Sequence, residues 1–337
     1  MSNPTNTEFV SGGPYFEDLA VGDVVDQAPA VTLTAGHATT HQSVLGNRMR
    51  LALDERLSRY VTGRERPLAH PGLVWDVAIG QSTLVTHRVV ANLFYRGFAF
   101  HHAPSIGDTL HTRTEVVALK QNRSRPTGLA VLRMTTTDQD ERTVLDFWRC
   151  AMLPLRSAGT DTGHTDDFSR VGAEADTRTM AEVASTWDLA RFRRAVPGMH
   201  FADISPGTTW RVDGGDVVSC APELARLTGN IAAVHHDRTA TTGGRRLVYG
   251  GHTIGLALHQ TLRALPNLVT VLGWHSCDHT GPVHEDDTLF STVTVENTEP
   301  LPRGGGLVHL RSLVRASNPA DDEVIDVLDW RYIALMS

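Results

Sequence analysis

Cysteine is scarce in this chain of 337 residues: Cys150, Cys220 and Cys277 are the only three, and they form no CxxC pair. An odd number without paired spacing excludes a disulfide framework and fits ordinary free thiols in a reducing compartment. Positive charge is not in excess either. Against 38 acidic residues stand 31 Lys and Arg, for a net charge of −7, so the electrostatic footprint of a nucleic-acid binder is missing. No apolar run approaches the ~20 residues of a membrane helix. Residues 1–8 lack the basic and apolar regions of a secretory signal. These absences lead us to expect a cytoplasmic protein with no nucleic-acid and no membrane partner.

What is present is the composition of a soluble globular protein, 41% hydrophobic and 20% charged. The length exceeds one ordinary core, which makes two domains the natural expectation. Several segments recur in the same order. Phe16-Glu-Asp-Leu-Ala-Val-Gly22 returns as Phe201-Ala-Asp-Ile-Ser-Pro-Gly207. Leu45-Gly-Asn47 with Asp54 returns as Thr228-Gly-Asn230 with Asp237. Pro71-Gly72 is matched in place by Gly250-Gly251, Asp108-Thr-Leu110 by Asp287-Thr-Leu289, and Val144-Leu-Asp-Phe-Trp-Arg149 by Val327-Leu-Asp-Trp-Arg331. The offset drifts between 179 and 185 residues, as loop insertions and deletions would make it.

Each copy reads as an entry turn, a short strand, a helix-like region, a longer apolar helix (73–84 and 253–265) and then three period-two strands. The strands are expected over 109–119, 130–137 and 143–153, and again over 288–297, 307–316 and 324–334. A helix followed by an antiparallel meander is an α+β layout, with the helix packed on a curved sheet. We divide the chain into 10–156, a Gly-, Asp-, Thr- and Ser-rich exposed linker over 157–185, and 186–337, with a short helix near 187–195 leading into the second copy.

Three stretches carry a resemblance: Asn230-Ile-Ala-Ala-Val-His235-His-Asp237, Arg245-Arg-Leu-Val-Tyr-Gly-Gly-His252, and Asn92-Leu-Phe-Tyr95 with Pro104 and Gly107-Asp-Thr-Leu110. The chain resembles the MaoC-like dehydratase/hydratase family of the hotdog fold in its tandem, double-hotdog form. Within it these stretches are similar to the mesaconyl-CoA (2-methylfumaryl-CoA) hydratases, also called β-methylmalyl-CoA dehydratases. The resemblance covers nearly everything but the linker, and the Tyr-Gly-Gly-His segment is its more specific part. The family motif is Gly-Asp-x-Asn-Pro-x-His. At its five fixed positions the second copy has Gly229, Asn230, Ala232, Ala233 and His235, and the first has Gly46, Asn47, Met49, Arg50 and Ala52. The resemblance therefore implies a degenerate N-terminal hotdog and a catalytic C-terminal one.

The resemblance further implies an enoyl-CoA hydratase/dehydratase, a hydro-lyase adding water reversibly to a 2-enoyl-CoA such as mesaconyl-CoA or a related branched or short acyl-CoA. CoA is part of the substrate, and no cofactor is expected. His235 is the base, because an unperturbed imidazole pKa of about 6.5 permits proton exchange near neutrality. Asn230 can hold the water but cannot deliver a proton. In a regular helix their five-residue spacing would put them on different faces, so they converge only if the helix ends between them. The proton for C2 comes either from His235 itself or from Asp237 or His236. Asp237 recurs as Asp54 in the copy without histidine, which favours a capping role. Gly250 and Gly251, at the start of a helix, suit an oxyanion hole, and Tyr249 and His252 flank them as pocket candidates.

Arg245, Arg246 and Arg96 are the candidates for the CoA phosphates, beside Arg48, Arg50, Arg123 and Arg125. His275, Cys277 and His279 share one strand face on paper but lack CxxC or HxxxH support, so no metal is expected. Two other readings stand beside the hydratase: a hotdog thioesterase using Glu223 or Asp237, and a non-catalytic acyl-binding subunit. A homodimer is the expected assembly.

Overall fold

The computed structural model describes residues 11–172, 176–241, 244–318 and 324–337. Four long strands follow a buried helix in each half. Helix α1 (Pro71–Gln81) precedes β1 (Ala91–Phe100), β2 (Thr109–Gln121), β3 (Thr127–Thr137) and β4 (Thr143–Pro154); helix α2 (Gly250–Ala264) precedes β5 (Leu268–His279), β6 (Thr288–Pro300), β7 (Gly306–Ser317) and β8 (Val324–Met336). The two meanders form one antiparallel sheet in the order β2-β3-β4-β1-β5-β8-β7-β6, lengthened at its edges by short strands. This is the double-hotdog architecture.

The joint is β1 against β5, with Tyr95 opposite Cys277 and Phe98 opposite Trp274. Neither strand is legible over its full length from period two. Register shifts break β1 between Asn92 and Phe94 and between Arg96 and Ala99, and the first seven residues of β5 are all buried. A strand covered on both faces has no alternation to read. Phe98 stacks on Trp274 at 3.9 Å, and Trp75 of α1 meets both Trp274 and Trp330 of the second half edge-on. The aromatic centre thus belongs to both halves.

All eleven residues of α1 are buried, as expected for a helix that is apolar all round. It begins two residues earlier than periodicity suggests, because Pro71 fits the first helical position and the His70 Nδ1 accepts the Gly72 N–H. Helix α2 likewise starts at Gly250, so the glycine pair forms its first turn rather than preceding it.

The expectation of a plainly exposed linker needs correction. His164 and Asp166 hydrogen-bond to the backbone of Gln121 and Leu119, and Phe168 and Val171 pack on the outer face of the sheet over Val131 and Cys150. A helix over Thr177–Glu182 then buries Met180 against Gly273. Few large apolar residues are needed for this, since the segment covers an existing face and builds no core of its own. The following short helix spans Leu189–Ala195.

Candidate active site

The helix Ala221–Leu227 ends before Gly229, whose φ of +68° turns the chain, and His235 lies in a separate 3-10 turn, Ala233–His235. With the helix ended between them, Asn230 and His235 come to line one cavity of about 410 Å³. Copy one holds this loop in place. The Thr83 hydroxyl accepts the Ile231 N–H (3.0 Å), the His87 carbonyl accepts the Ala233 N–H (3.0 Å), and Gly80 of α1 lies against the Thr228 carbonyl.

The His235 Nδ1 is 2.9 Å from the Leu247 carbonyl. A carbonyl only accepts, so Nδ1 carries the hydrogen and Nε2 keeps its lone pair. Burial pushes the pKa of His235 down to about 4, keeping the ring neutral near pH 7. The Asn230 Oδ1 accepts the Ala232 N–H at 3.0 Å, and Asn47 makes the same bond to the Met49 N–H at 2.7 Å in copy one. The feature shared by the copies is therefore a structural turn. The Asn230 Nδ2 has no partner among the described residues and remains free to donate to a water in the cavity.

At the start of α2, Gly250 lines the cavity and Gly251 does not. A Cβ on Gly251 would stand 2.2 Å from Asp76 Oδ1 and 2.4 Å from the Tyr249 ring, so packing explains that glycine. Tyr249 also lines the cavity, and its hydroxyl donates to Asp76 (3.1 Å), which receives the His41 Nε2 on its other oxygen (3.0 Å). Burial raises the Asp76 carboxyl. His252 is buried in α2, away from the cavity, with neither ring nitrogen hydrogen-bonded.

The remaining candidates lie elsewhere. Asp237 is exposed and caps the next turn through the Thr239 N–H (2.8 Å), as Asp54 caps its helix through Leu57 (2.9 Å). The His236 Nε2 donates to the Asn230 carbonyl at 2.6 Å. Neither lines the cavity, and so neither is placed to protonate substrate. Arg245 pairs with Asp287 at 2.5 Å, and Arg66 makes the same pair with Asp108 at 2.6 Å in copy one. Occurrence in both copies marks it as part of the repeat's frame. Arg246 pairs with Glu285, and Arg96 with Asp278 at 2.6 Å; none of the three arginines lines the cavity. His275 meets His309 (2.8 Å), Cys277 is buried and His279 lines the cavity, so these three share no centre. Glu223 sits beside Arg226 on the Ala221–Leu227 helix, outside the cavity.

Arg149, which the sequence did not single out, and Arg125, one of the candidates for the CoA phosphates, complete the site. Among the described residues Arg149 and Arg125 are the arginines of the cavity wall, the first buried and the second exposed, and no Asp or Glu lines it. Arg149 had a readable signal: it falls in phase with the inward Leu145 and Phe147 of β4.

An offset of 179 residues maps this cavity onto its twin. Leu247, Val248, Gly250, Thr253 and His279 become Leu68, Ala69, Pro71, Val74 and Phe100 in copy one, where only about 10 Å³ remains. Val183, from beyond the Thr177–Glu182 helix, lines the remnant.

No family model matches the chain. A solved structure of a conserved hypothetical protein from Mycobacterium tuberculosis, described as a double hotdog fold, is 56% identical over 97% of this chain and 99% of its own, with a TM-score of 0.88. The β-methylmalyl-CoA dehydratase of Chloroflexus aurantiacus is 26% identical across 100% of this chain and 99% of its own length. The chain belongs to the MaoC-like double-hotdog family. Another member, the mesaconyl-CoA hydratase of Cereibacter sphaeroides, is 26% identical over 96% of this chain and 95% of its own. A structure of a MaoC domain dehydratase from Chloroflexus aurantiacus shares the fold at 24% identity and a TM-score of 0.84.

Proposed function

We propose that this MaoC-like protein is a cytoplasmic enoyl-CoA hydratase/dehydratase, a hydro-lyase working on mesaconyl-CoA or a related short or branched 2-enoyl-CoA. The observation that carries the reading is a neutral histidine, His235, fixed in one tautomer with its free Nε2 at a cavity to which the described residues bring no carboxylate. A water held by the Asn230 Nδ2 loses a proton to Nε2 as its oxygen bonds to C3 of the substrate. The electrons of the double bond move toward the thioester oxygen, which faces the Gly250 N–H at the positive end of α2. The enolate then takes the same proton from Nε2 at C2, completing a syn addition. Because His236 and Asp237 lie off the cavity, His235 acts in both directions.

Arg125, exposed at the cavity edge, is the cation for the CoA phosphates. The N-terminal half, 10–156, clamps the catalytic loop rather than catalysing. The proposed assembly is a homodimer.

Loss of enoyl absorbance on adding the enzyme to mesaconyl-CoA and crotonyl-CoA tests the reading. Hydration is expected with wild type and a fall of about 10²–10⁴-fold with His235→Ala. Release of free thiol without hydration would instead support the thioesterase, and binding without turnover the acyl-binding subunit.

A further inference from the structure

Arg149 is 4% exposed, on the inner face of β4. It forms no ion pair among the described residues: one terminal nitrogen donates to the Thr86 hydroxyl, Nε has no partner, and the Tyr95 hydroxyl lies beside it. A buried cation without an anion is costly, and such a group is normally paired. Asp76, the carboxylate bonded to the cavity's Tyr249, is already engaged by that hydroxyl and by His41. Asn92, two strand positions from the Tyr95–Arg149 pair, adds an amide whose nitrogen and oxygen are both buried and unbonded. Both side chains line the cavity that holds His235. Its wall thus carries an unmatched buried positive charge and an unmatched buried amide.

We propose that Arg149, with Asn92 beside it, receives a free carboxylate at the far end of the acyl group, so that the enzyme selects monothioesters of unsaturated dicarboxylic acids. This rests on the hydratase reading and names the substrate class of the same cavity. A guanidinium offers a planar fork to a carboxylate, and Nε with a terminal nitrogen is the edge suited to a bidentate pair. In a four-carbon enedioic thioester the free carboxylate sits on C3, the carbon that accepts water. Pairing it with Arg149 lowers its repulsion of the incoming oxygen and fixes C3 beside His235.

The test compares ligands that differ only in that carboxylate. Thermal unfolding is followed with succinyl-CoA and with butyryl-CoA, neither of which can be hydrated. Hydration is followed with mesaconyl-CoA and crotonyl-CoA. Wild type is expected to be stabilised more by succinyl-CoA and to prefer mesaconyl-CoA. Arg149→Met is expected to lose both preferences, with kcat/KM falling about 100-fold further for mesaconyl-CoA than for crotonyl-CoA. Arg149→Lys, which keeps the charge, should recover part of the preference. Wild type that binds butyryl-CoA as well as succinyl-CoA overturns the proposal whatever the variants do, and so does a preference that survives in Arg149→Met. Failure to hydrate either enoyl-CoA would sink the hydratase reading instead, leaving the binding comparison to decide the role of Arg149.

Discussion

Gly80 offers a sharp test of how the catalytic loop is held. Helix propensity alone would make Gly80→Ala stabilising by about 1 kcal/mol, because alanine restricts the unfolded chain. The packing argues the other way. A Cβ at position 80 would stand 1.9 Å from the Thr228 carbonyl oxygen and 3.2 Å from the Asn230 nitrogen. Since real Cβ contacts essentially never fall below 3.0 Å, the loop or the helix must retreat by about 1 Å. Both partners are backbone and α1 is buried throughout, so no flexible side chain can absorb the displacement. Overpacking of this kind costs about 1–3 kcal/mol. A shift of about 1 Å at Asn230 and His235 would lower kcat/KM by about 100-fold. Urea unfolding and steady-state hydration read the two effects, with Gly159→Ala, which meets nothing within 4 Å, as the control. A Gly80→Ala protein more stable than wild type and fully active would refute the clamp.

Thr83→Val removes the acceptor for the Ile231 N–H and is expected to cost about 1–3 kcal/mol of stability in urea unfolding; an unchanged midpoint would show that another acceptor takes over. Arg125→Ala should raise KM for acyl-CoA while leaving kcat nearly untouched, and a loss confined to kcat would remove it from CoA binding. Burial holds His235, His252 and His279 each at about 4, whereas in the unfolded chain they protonate near 6.5. Below about pH 6.5 the unfolded chain therefore binds more protons, and stability should fall toward pH 4 by up to about 3 kcal/mol per histidine, with no contribution above pH 7. Urea midpoints at pH 7, 6 and 5 check this, and equal midpoints would contradict it. For the same reason kcat/KM should be flat between pH 6 and 8.

The repeat and its helices and outer strands were legible because period-two alternation survives wherever one sheet face is covered and the other wet. It failed at β1 and β5, where the halves meet and bulges interrupt the phase. His235 stood out because copy one has Ala52 in its place. Asp237 and Arg245 could be judged by the opposite sign, since each has a structural counterpart, Asp54 and Arg66, in the half without the histidine. Composition could not show that Arg246 and Arg96 answer neighbouring acids, Glu285 and Asp278, rather than face solvent alone. Asp76 and Tyr249 meet across 173 residues of chain, a distance over which sequence spacing says nothing.

The collapsed twin cavity fixes a stoichiometry. With about 10 Å³ left in copy one against about 410 Å³ beside His235, the tandem chain binds one acyl group where two separate hotdogs could bind two. Titration with a tight thioester ligand should saturate at one equivalent per polypeptide. Duplication has left a half-of-the-sites enzyme whose silent half is written permanently into the covalent chain.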